Sequence, residues 1–519
     1  MLGQNYYAII ITFIAAFGGF IFGYDASVIS GVIGFVGQEF ELTDWQQGFV
    51  VSSPTLGAIF ASFAAGPLAD KIGRKKVLIG IAALYILSAI FSACAFSYES
   101  LVIARMIGGL AFSSLILAPM YIAEIAPAQL RGKLVSLNQL NIVIGISAAY
   151  FANHYFLNAS QIQQHWLYPY GLADNVWRFM LGAEILPAIM YFALLFLIPE
   201  SPRWLMLKNA PSKAEKIILK LVDSQAAKKQ LTEIRNSIGN SKHNLKSNVQ
   251  TLFSQPLKFV LLLGLVIACI QQITGVNAIY FYAPSIFEQS GIGKDASFIQ
   301  AIWIGIFNII FTLIAISAID KVGRKPLLCI GLTGVVLSMS INSYGFYNAS
   351  YQINEQAAQE LSQISSEQLS SIINVKFNND VEFKNAMKHH LGEKVYLNNE
   401  SEILKAGTQM NANLLLIGIL AFVASFAVSL GPVMWVLLSE IFPNQVRGIA
   451  ISFVGIINSL CSFTTQLIFP WELNHIGAAA TFFIYAMFAL LGLIFVIYLL
   501  PETKGKSLED LEHKLIKRQ

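Results

Sequence analysis

Charge is what this sequence has least of. Only 12% of its 519 residues are Asp, Glu, Lys or Arg, about half the share in a typical soluble domain, which argues against a water-soluble enzyme of this length. Cysteine is nearly absent too. The four present (Cys94, Cys269, Cys329 and Cys461) all fall in apolar runs, where they suit small core residues better than disulfides or metal ligands. Lysine and arginine are missing from whole loops, among them GQEFELTDWQQ (37–47) and FLNASQIQQHWLYPYGLADN (156–175). The net charge of +4 is small and unevenly placed, which speaks for membrane topology and not for a nucleic-acid partner. No nucleophile–base pairing, metal-ligand cluster or phosphate loop rises above background, so no enzyme, metal or cofactor is expected.

What is present is hydrophobicity: 55% of residues are apolar and the mean hydropathy is +0.60. Uncharged runs long enough to cross a hydrocarbon core as helices fall at 8–36, 49–69, 77–96, 101–123, 134–156 and 177–198, then at 259–287, 298–319, 327–347, 413–438, 449–470 and 478–500. The expected fold is an all-α membrane protein of twelve transmembrane helices in two six-helix bundles. Residues 1–7 carry no basic side chain before a long apolar run, so the first run reads as a retained span and not a signal peptide. The basic loops DKIGRKK, QLRGK, 203–246 and DKVGRK and the tail KLIKRQ share one side of this count. The positive-inside rule makes that side, and both termini, cytoplasmic.

The halves repeat. DKIGRK at Asp70 returns as DKVGRK at Asp320, AEIAPAQLRG at Ala123 as SEIFPNQVRG at Ser439, and PESPR at Pro199 as PETKG at Pro501. Both copies of each motif lie on the same side, as in parallel repeats with a binding site between them. The expected organisation is an N-terminal bundle (1–202), a cytoplasmic helical linker (203–255) and a C-terminal bundle (256–519). Gly73 and Glu124 are 51 positions apart, Gly323 and Glu440 are 117. The surplus lies mostly at 348–411, on the outer face. It is rich in polar residues and lacks Cys and Pro, and reads as a solvated decoration with one short amphipathic element at 375–391. In the linker, Ser212 followed by Glu215 reads as a capping box.

Two groups carry the chemistry. Asp25, Arg105 and Glu184 are ionisable residues inside apolar spans, where a charge costs a few kcal/mol unless it is paired or protonated. Their depths match, so one arginine shared by two carboxylates is expected, either as a proton site or as a static ion pair. Gln139, Gln271, Gln272, Asn277, Asn308 and Asn458 are amides in otherwise apolar spans, with Trp435 and Tyr280–Tyr282 nearby and Gly275 and Gly431–Pro432 placed to interrupt helices. Amides and aromatic faces suit a neutral polyhydroxylated ligand. Each amide alone would serve equally as an interhelical hydrogen bond. The charged loop motifs place Asp70, Arg74, Glu124, Arg131, Glu200, Arg203, Asp320, Arg324, Glu440, Arg447 and Glu502 at span ends. Ion pairs among them would favour one conformation of the cytoplasmic face. Lys75 and Lys76 read as topology charge alone.

At FGYD, GPLADKIGRK, RMIGG, PMYIAEIAPAQLRGK, PESPRW, QQITGVNAIYFYAP, DKVGRKP, GPVMWVLLSEIFP and PETKGK the chain resembles the sugar porter family of the major facilitator superfamily, and is most similar to bacterial proton-coupled pentose and hexose symporters. The resemblance implies sugar-binding amides at Gln139, Gln271, Gln272, Asn277 and Asn458, with Asn308 nearby, Trp435 as the packing aromatic, and Phe22 and Gly431 as lesser neighbours. It implies a coupling pair at Asp25 and Arg105 with Glu184 as an associated acid, and the proton as coupling ion. Facilitative carriers of the family typically have an amide at the Asp25 position, so Asp favours symport. Ile146 is apolar where the xylose-type pattern has an amide, and Ser459 replaces a tryptophan, which puts hexose ahead of pentose. The implied protein is a monomeric plasma-membrane carrier of a monosaccharide and a proton. A facilitative uniporter, a proton-coupled myo-inositol carrier and a non-transporting sugar receptor are the alternatives.

Overall fold

The computed structural model describes residues 2–127, 130–222, 224–239, 245–361, 364, 366–443 and 446–505. The tail KLIKRQ and Gln129 of the QLRGK loop lie outside the described residues. Among the described residues, twelve helices are long and apolar enough to cross a membrane: Tyr6–Glu39, Asp44–Ile72, Arg74–Ala93, Tyr98–Ile125, Gly132–Ser160 and Val176–Leu195, then Gln255–Phe281, Lys294–Ile319, Arg324–Tyr347, Ala412–Ile441, Arg447–Ile476 and Ala478–Leu499. All twelve overlap the uncharged runs. Hydrocarbon offers a peptide group no hydrogen-bond partner, so each run must satisfy its own backbone as a helix. The chain divides into two compact units, Met1–Ala26, Ser53–Ala149 and Arg178–Leu252 in one and Ser27–Ser52, Tyr150–Trp177 and Phe253–Gln519 in the other.

The sequence repeats are also repeats of geometry. Between the second and third spans, Gly73 has φ 106° and the next helix begins at Arg74. Glu200 Oε1 accepts the Lys75 amide at 3.1 Å, and Lys75 Nζ donates to the Phe196 carbonyl at 2.8 Å. In the other unit Gly323 again has φ 106°, Glu502 accepts the amides of Arg324 and Lys325 at 3.1 and 3.0 Å, and Lys325 Nζ reaches the Ile497 carbonyl at 2.8 Å. In each copy a carboxylate meets orphan amides at a helix start, and a lysine meets carbonyls at a helix end. Lys75 is therefore more than a topology charge. The left-handed φ is open to glycine at little steric cost.

Along the chain, the sixth and seventh spans are joined by the short helices Pro202–Leu207, Pro211–Leu221, Ser224–Gly239 and Leu245–Leu252. The capping box expected at Ser212 is not formed. Ala210 is the N-cap, without a side-chain cap bond, because Pro211 takes the first helical position, for which its fixed φ and missing N–H suit it.

The stretch at 348–411 is a folded cap and not a solvated decoration. A two-stranded ribbon, Ser350–Tyr351 with Thr408–Gln409, closes its base, and Tyr351, Ile353, Leu369, Phe383, Met387, Tyr396 and Ile403 are among the residues of its own apolar core. The amphipathic element is the helix Asp380–Leu391, which buries Phe383, Met387 and Leu391. The same helix docks the cap. Buried Lys384 donates to the Leu473 carbonyl and to Asn474 Oδ1, at 3.3 and 3.4 Å, and Asp380 Oδ2 accepts the Ala478 amide at 2.9 Å, capping the twelfth span. At the opposite edge Gln38 donates to the Leu397 carbonyl at 2.9 Å and Lys394 pairs with Glu41. That last pair is exposed and worth little.

Where the helix Ala283–Glu288 meets the cap helix Glu393–Gly407, Glu288 is pushed up to about 7 by burial; the Glu400 charge adds to this, while Lys294 and a hydrogen bond from Ser401 oppose it. A carboxyl raised above its unfolded value stabilises the fold at low pH, and that contribution is lost as pH rises through about 7. Thermal unfolding of the detergent-solubilised protein should therefore show a melting temperature that falls between pH 5 and 8 more steeply in wild type than in Glu288→Gln. Parallel pH profiles would show that Glu288 does not titrate in this way.

Candidate functional site

The first group is held within one unit. Asp25 and Arg105 are both buried, at 0% and 2% exposure. Arg105 donates to the Asp25 main-chain carbonyl at 3.0 Å and forms an ion pair with Asp25 Oδ1. Gly108, one turn on from Arg105, permits the approach: a Cβ there would lie 2.6 Å from Asp25 Oδ2 and from Ser88 Oγ. Asp25 Oδ2 and Arg105 Nε have no hydrogen-bond partner among the described residues. Glu184 is not part of the pair. It is buried, within electrostatic range of Asp25 and Arg105, yet its Oε1 has no partner. The expected sharing of one arginine by two carboxylates holds only at electrostatic range: Glu184 feels the Arg105 charge but makes no ion pair with it among the described residues. The Arg105 bonds go to the carboxylate and carbonyl of Asp25, while Glu184 sits where the sixth span breaks between Val176–Gly182 and Ile185–Leu195. The hydroxyls of Tyr24 and Tyr191 are likewise buried and have no hydrogen-bond partner among the described residues. Sequence reasoning missed both, although Tyr24 adjoins Asp25.

The second group is built by a broken helix in the other unit. The seventh span runs as Lys258–Ile273, stops at Gly275 with φ 90°, and restarts as Val276–Phe281. A Cβ at Gly275 would run into the Tyr485 ring. The break lets Asn277 Nδ2 donate back to Gln272 Oε1 at 2.8 Å and across to Ser462 Oγ at 2.6 Å. Gln272 Nε2 donates to Gln271 Oε1 and Asn458 Oδ1, both at 3.2 Å. Asn458 Nδ2 donates to the Ala268 carbonyl and Gln271 Oε1, both at 2.9 Å. Gln271 Nε2 donates to the carbonyls of Leu430 and Gly431, at 2.9 and 3.5 Å. Four of the six amides thus form one cluster. Ser462 and Gln466, joined by a Gln466 Nε2 to Ser462 Oγ bond of 2.8 Å, complete it, and sequence reasoning missed both. Their signal was spacing: 458, 462 and 466 recur at helical period on one buried face.

The remaining candidates lie apart from this cluster or beside it. Trp435, half exposed, is on the helix Leu430–Ile441. That helix is separated from the preceding one at Ser429, two residues before the expected break at Gly431–Pro432. Asn308 is buried and, among the described residues, bonded only to Thr312, at 3.5 Å. Gln139 is exposed on the fifth span, and Phe22 packs edge-on against Phe112 at 4.6 Å; both belong to the first unit. Ile146 is buried at the fifth span's contact with the first, where a Cβ at Gly23 would lie 3.0 Å from its amide.

The charged loop residues form two local networks. In one unit Arg74 makes a two-point contact with Glu124 at 3.1 and 3.2 Å and pairs with Asp70 at 2.7 Å, while Ser201 bonds Glu124 and Glu200 caps Lys75. In the other Arg324 pairs with Glu440 at 2.8 Å, Thr503 donates to Glu440 at 2.6 Å, and Glu502 caps the Arg324 helix. Arg447 donates to the Phe442 carbonyl at 3.2 Å. Arg203 is exposed. The side chains of Arg131 and Asp320 lie outside the described residues.

Removing one member of a buried ion pair costs about 3–5 kcal/mol because the other is left uncompensated. Arg105→Met should lower the melting temperature sharply, and adding Asp25→Asn should recover most of the loss. Additive losses in the double variant would mean that the two residues do not act as a pair.

The model of a family described as sugar (and other) transporter matches residues 11–362 and 391–515. The chain is 34% identical to the arabinose-proton symporter of Bacillus subtilis, over 98% of this chain and 96% of that one. It is 32% identical to the galactose-proton symporter of Escherichia coli, over 98% and 94%. The inward open structure of the xylose transporter from E. coli superposes with a TM-score of 0.73 at 30% identity, over 97% of this chain and 99% of that one. With its twelve spans, its doubled loop motifs and these matches, the chain belongs to the sugar transporter family of the major facilitator superfamily.

Proposed function

We propose that this transporter is a proton-coupled symporter that imports a neutral monosaccharide, a hexose in preference to a pentose, by alternating access across the plasma membrane. The basic loops and both termini face the cytoplasm. The chain works as a monomer. The observation that carries the reading is the buried Asp25–Arg105 pair: an acid in the middle of a span, held by one arginine, is a group whose protonation changes how two helices are tied. Protonating Asp25 removes the negative half of the pair, so proton binding and the hold between first and fourth spans are linked. The names of the relatives as arabinose-proton and galactose-proton symporters support the same chemistry.

The sugar binds at the amide cluster. Its hydroxyls donate to amide oxygens, and Trp435 offers a ring face for the C–H surface. Beside the cap Asn474 donates to Asp44 at 2.7 Å and Trp45 stacks on Trp471 at 6.2 Å, and on the broken seventh span the Tyr280 carbonyl accepts from Tyr150 at 2.7 Å. In the proposed orientation these contacts close the outer end, and the outward-facing state breaks them. The local networks at the cytoplasmic ends bias the opposite closure. One proton moving down about 100 mV releases roughly 2.3 kcal/mol, enough for about fifty-fold accumulation of a neutral solute.

The test is transport by purified protein in liposomes with glucose, galactose, xylose, arabinose and myo-inositol. Wild type should accumulate a sugar under an inward proton gradient, and Asp25→Asn should keep counterflow while losing accumulation. If both proteins exchange sugar and neither accumulates it, the carrier is a uniporter and the pair is structural. If wild type moves no sugar in either assay, the reading as a carrier of these sugars fails.

A further inference from the structure

Resting on that reading of the amide cluster as the sugar site, we infer that Ser462, held by Gln466, sets the specificity of the cluster by supplying the hydrogen-bond donor that its four amides do not. Each side-chain NH2 of Gln271, Gln272, Asn277 and Asn458 already has two oxygen acceptors within the protein. A primary amide has two N–H donors, so the four donate nothing further. The oxygens are differently placed. Gln272 Oε1 and Asn458 Oδ1 each accept one bond and keep one lone pair, and Asn277 Oδ1 accepts none from the described residues. The cluster therefore meets a ligand as a set of acceptors.

Ser462 is the exception. Its oxygen accepts from Asn277 Nδ2 at 2.6 Å and from Gln466 Nε2 at 2.8 Å, which occupies both lone pairs. Among the described residues its proton is donated in no hydrogen bond. The hydroxyl cannot turn to another role without giving up one of the two N–H bonds, so its O–H is held in the remaining direction. Gln466 is 1% exposed and Ser462 7%, so water does not readily replace either bond. Gln466 is thus a positioning residue. It acts through Ser462 on the orientation of Asn277 and on where the free proton points.

The recognition that follows is asymmetric. Sugar hydroxyls donate to amide oxygens at several points, and at one ring position the sugar oxygen accepts from Ser462. Replacing that hydroxyl by hydrogen costs a neutral hydrogen bond, about three- to tenfold in affinity. Replacing it by fluorine, which accepts weakly and cannot donate, costs less.

The experiment is competition by monodeoxy and monofluoro analogues of whichever of the five sugars wild type transports best, in counterflow, for wild type, Ser462→Ala, Ser462→Thr and Gln466→Met. Wild type should show one ring position at which the deoxy analogue binds about three- to tenfold more weakly than the parent sugar while the fluoro analogue loses measurably less. Ser462→Ala should lose that difference at that position while keeping the others, and Ser462→Thr, which keeps the hydroxyl, should restore it. In Gln466→Met the difference should shrink with Ser462 intact, which also serves if Ser462→Ala does not fold. A scan identical in all four proteins would overturn the inference. Absence of sugar transport by wild type would instead overturn the reading on which it rests.

Discussion

A polar group inside a bilayer has no water to fall back on, and every informative feature of this protein follows from how that debt is settled. Backbone groups are settled by helix formation, which makes twelve spans out of twelve apolar runs. Side chains are settled by pairing. Arg105 takes both the carboxylate and the carbonyl of Asp25, and four amides exhaust their N–H groups on one another, on nearby carbonyls and on the Ser462 hydroxyl. What stays unsettled is where change is possible: one oxygen of Asp25, one of Glu184, and the open lone pairs of the amide cluster.

The fold was legible because hydrophobic runs and loop charges are one-dimensional signals. Runs near 20 residues without charge have one outcome in a membrane, and the DKIGRK/DKVGRK and PESPR/PETKG motifs make the same carboxylate-to-amide contact in both copies. The cap was not legible in the same way. Its polar composition hid a core, because residues such as Tyr351, Phe383 and Tyr396 are spread over short helices with no long periodic stretch. Ser212 looked like a cap from the residue pattern, but Pro211 decided the helix start.

The site was legible in part and for a definite reason. An amide or a carboxylate in an apolar span stands out, so Gln271, Gln272, Asn277, Asn458, Asp25 and Arg105 were readable one by one. Their partners were not. Ser462 passes as a small helical residue, and only the break at Gly275 brings Asn277 to it. Glu184 stood out equally, yet which of two carboxylates an arginine binds is set by side-chain direction and close packing at Gly108, neither of which is written in spacing.

The central claim is that Asp25 changes protonation in step with sugar. Infrared difference spectroscopy of the reconstituted protein, with and without a transported sugar, reads this directly through the carbonyl stretch of a protonated carboxyl group. The account predicts a sugar-dependent band in wild type that disappears in Asp25→Asn. A spectrum with no carboxyl change on sugar binding, or one unaltered by Asp25→Asn, would contradict it.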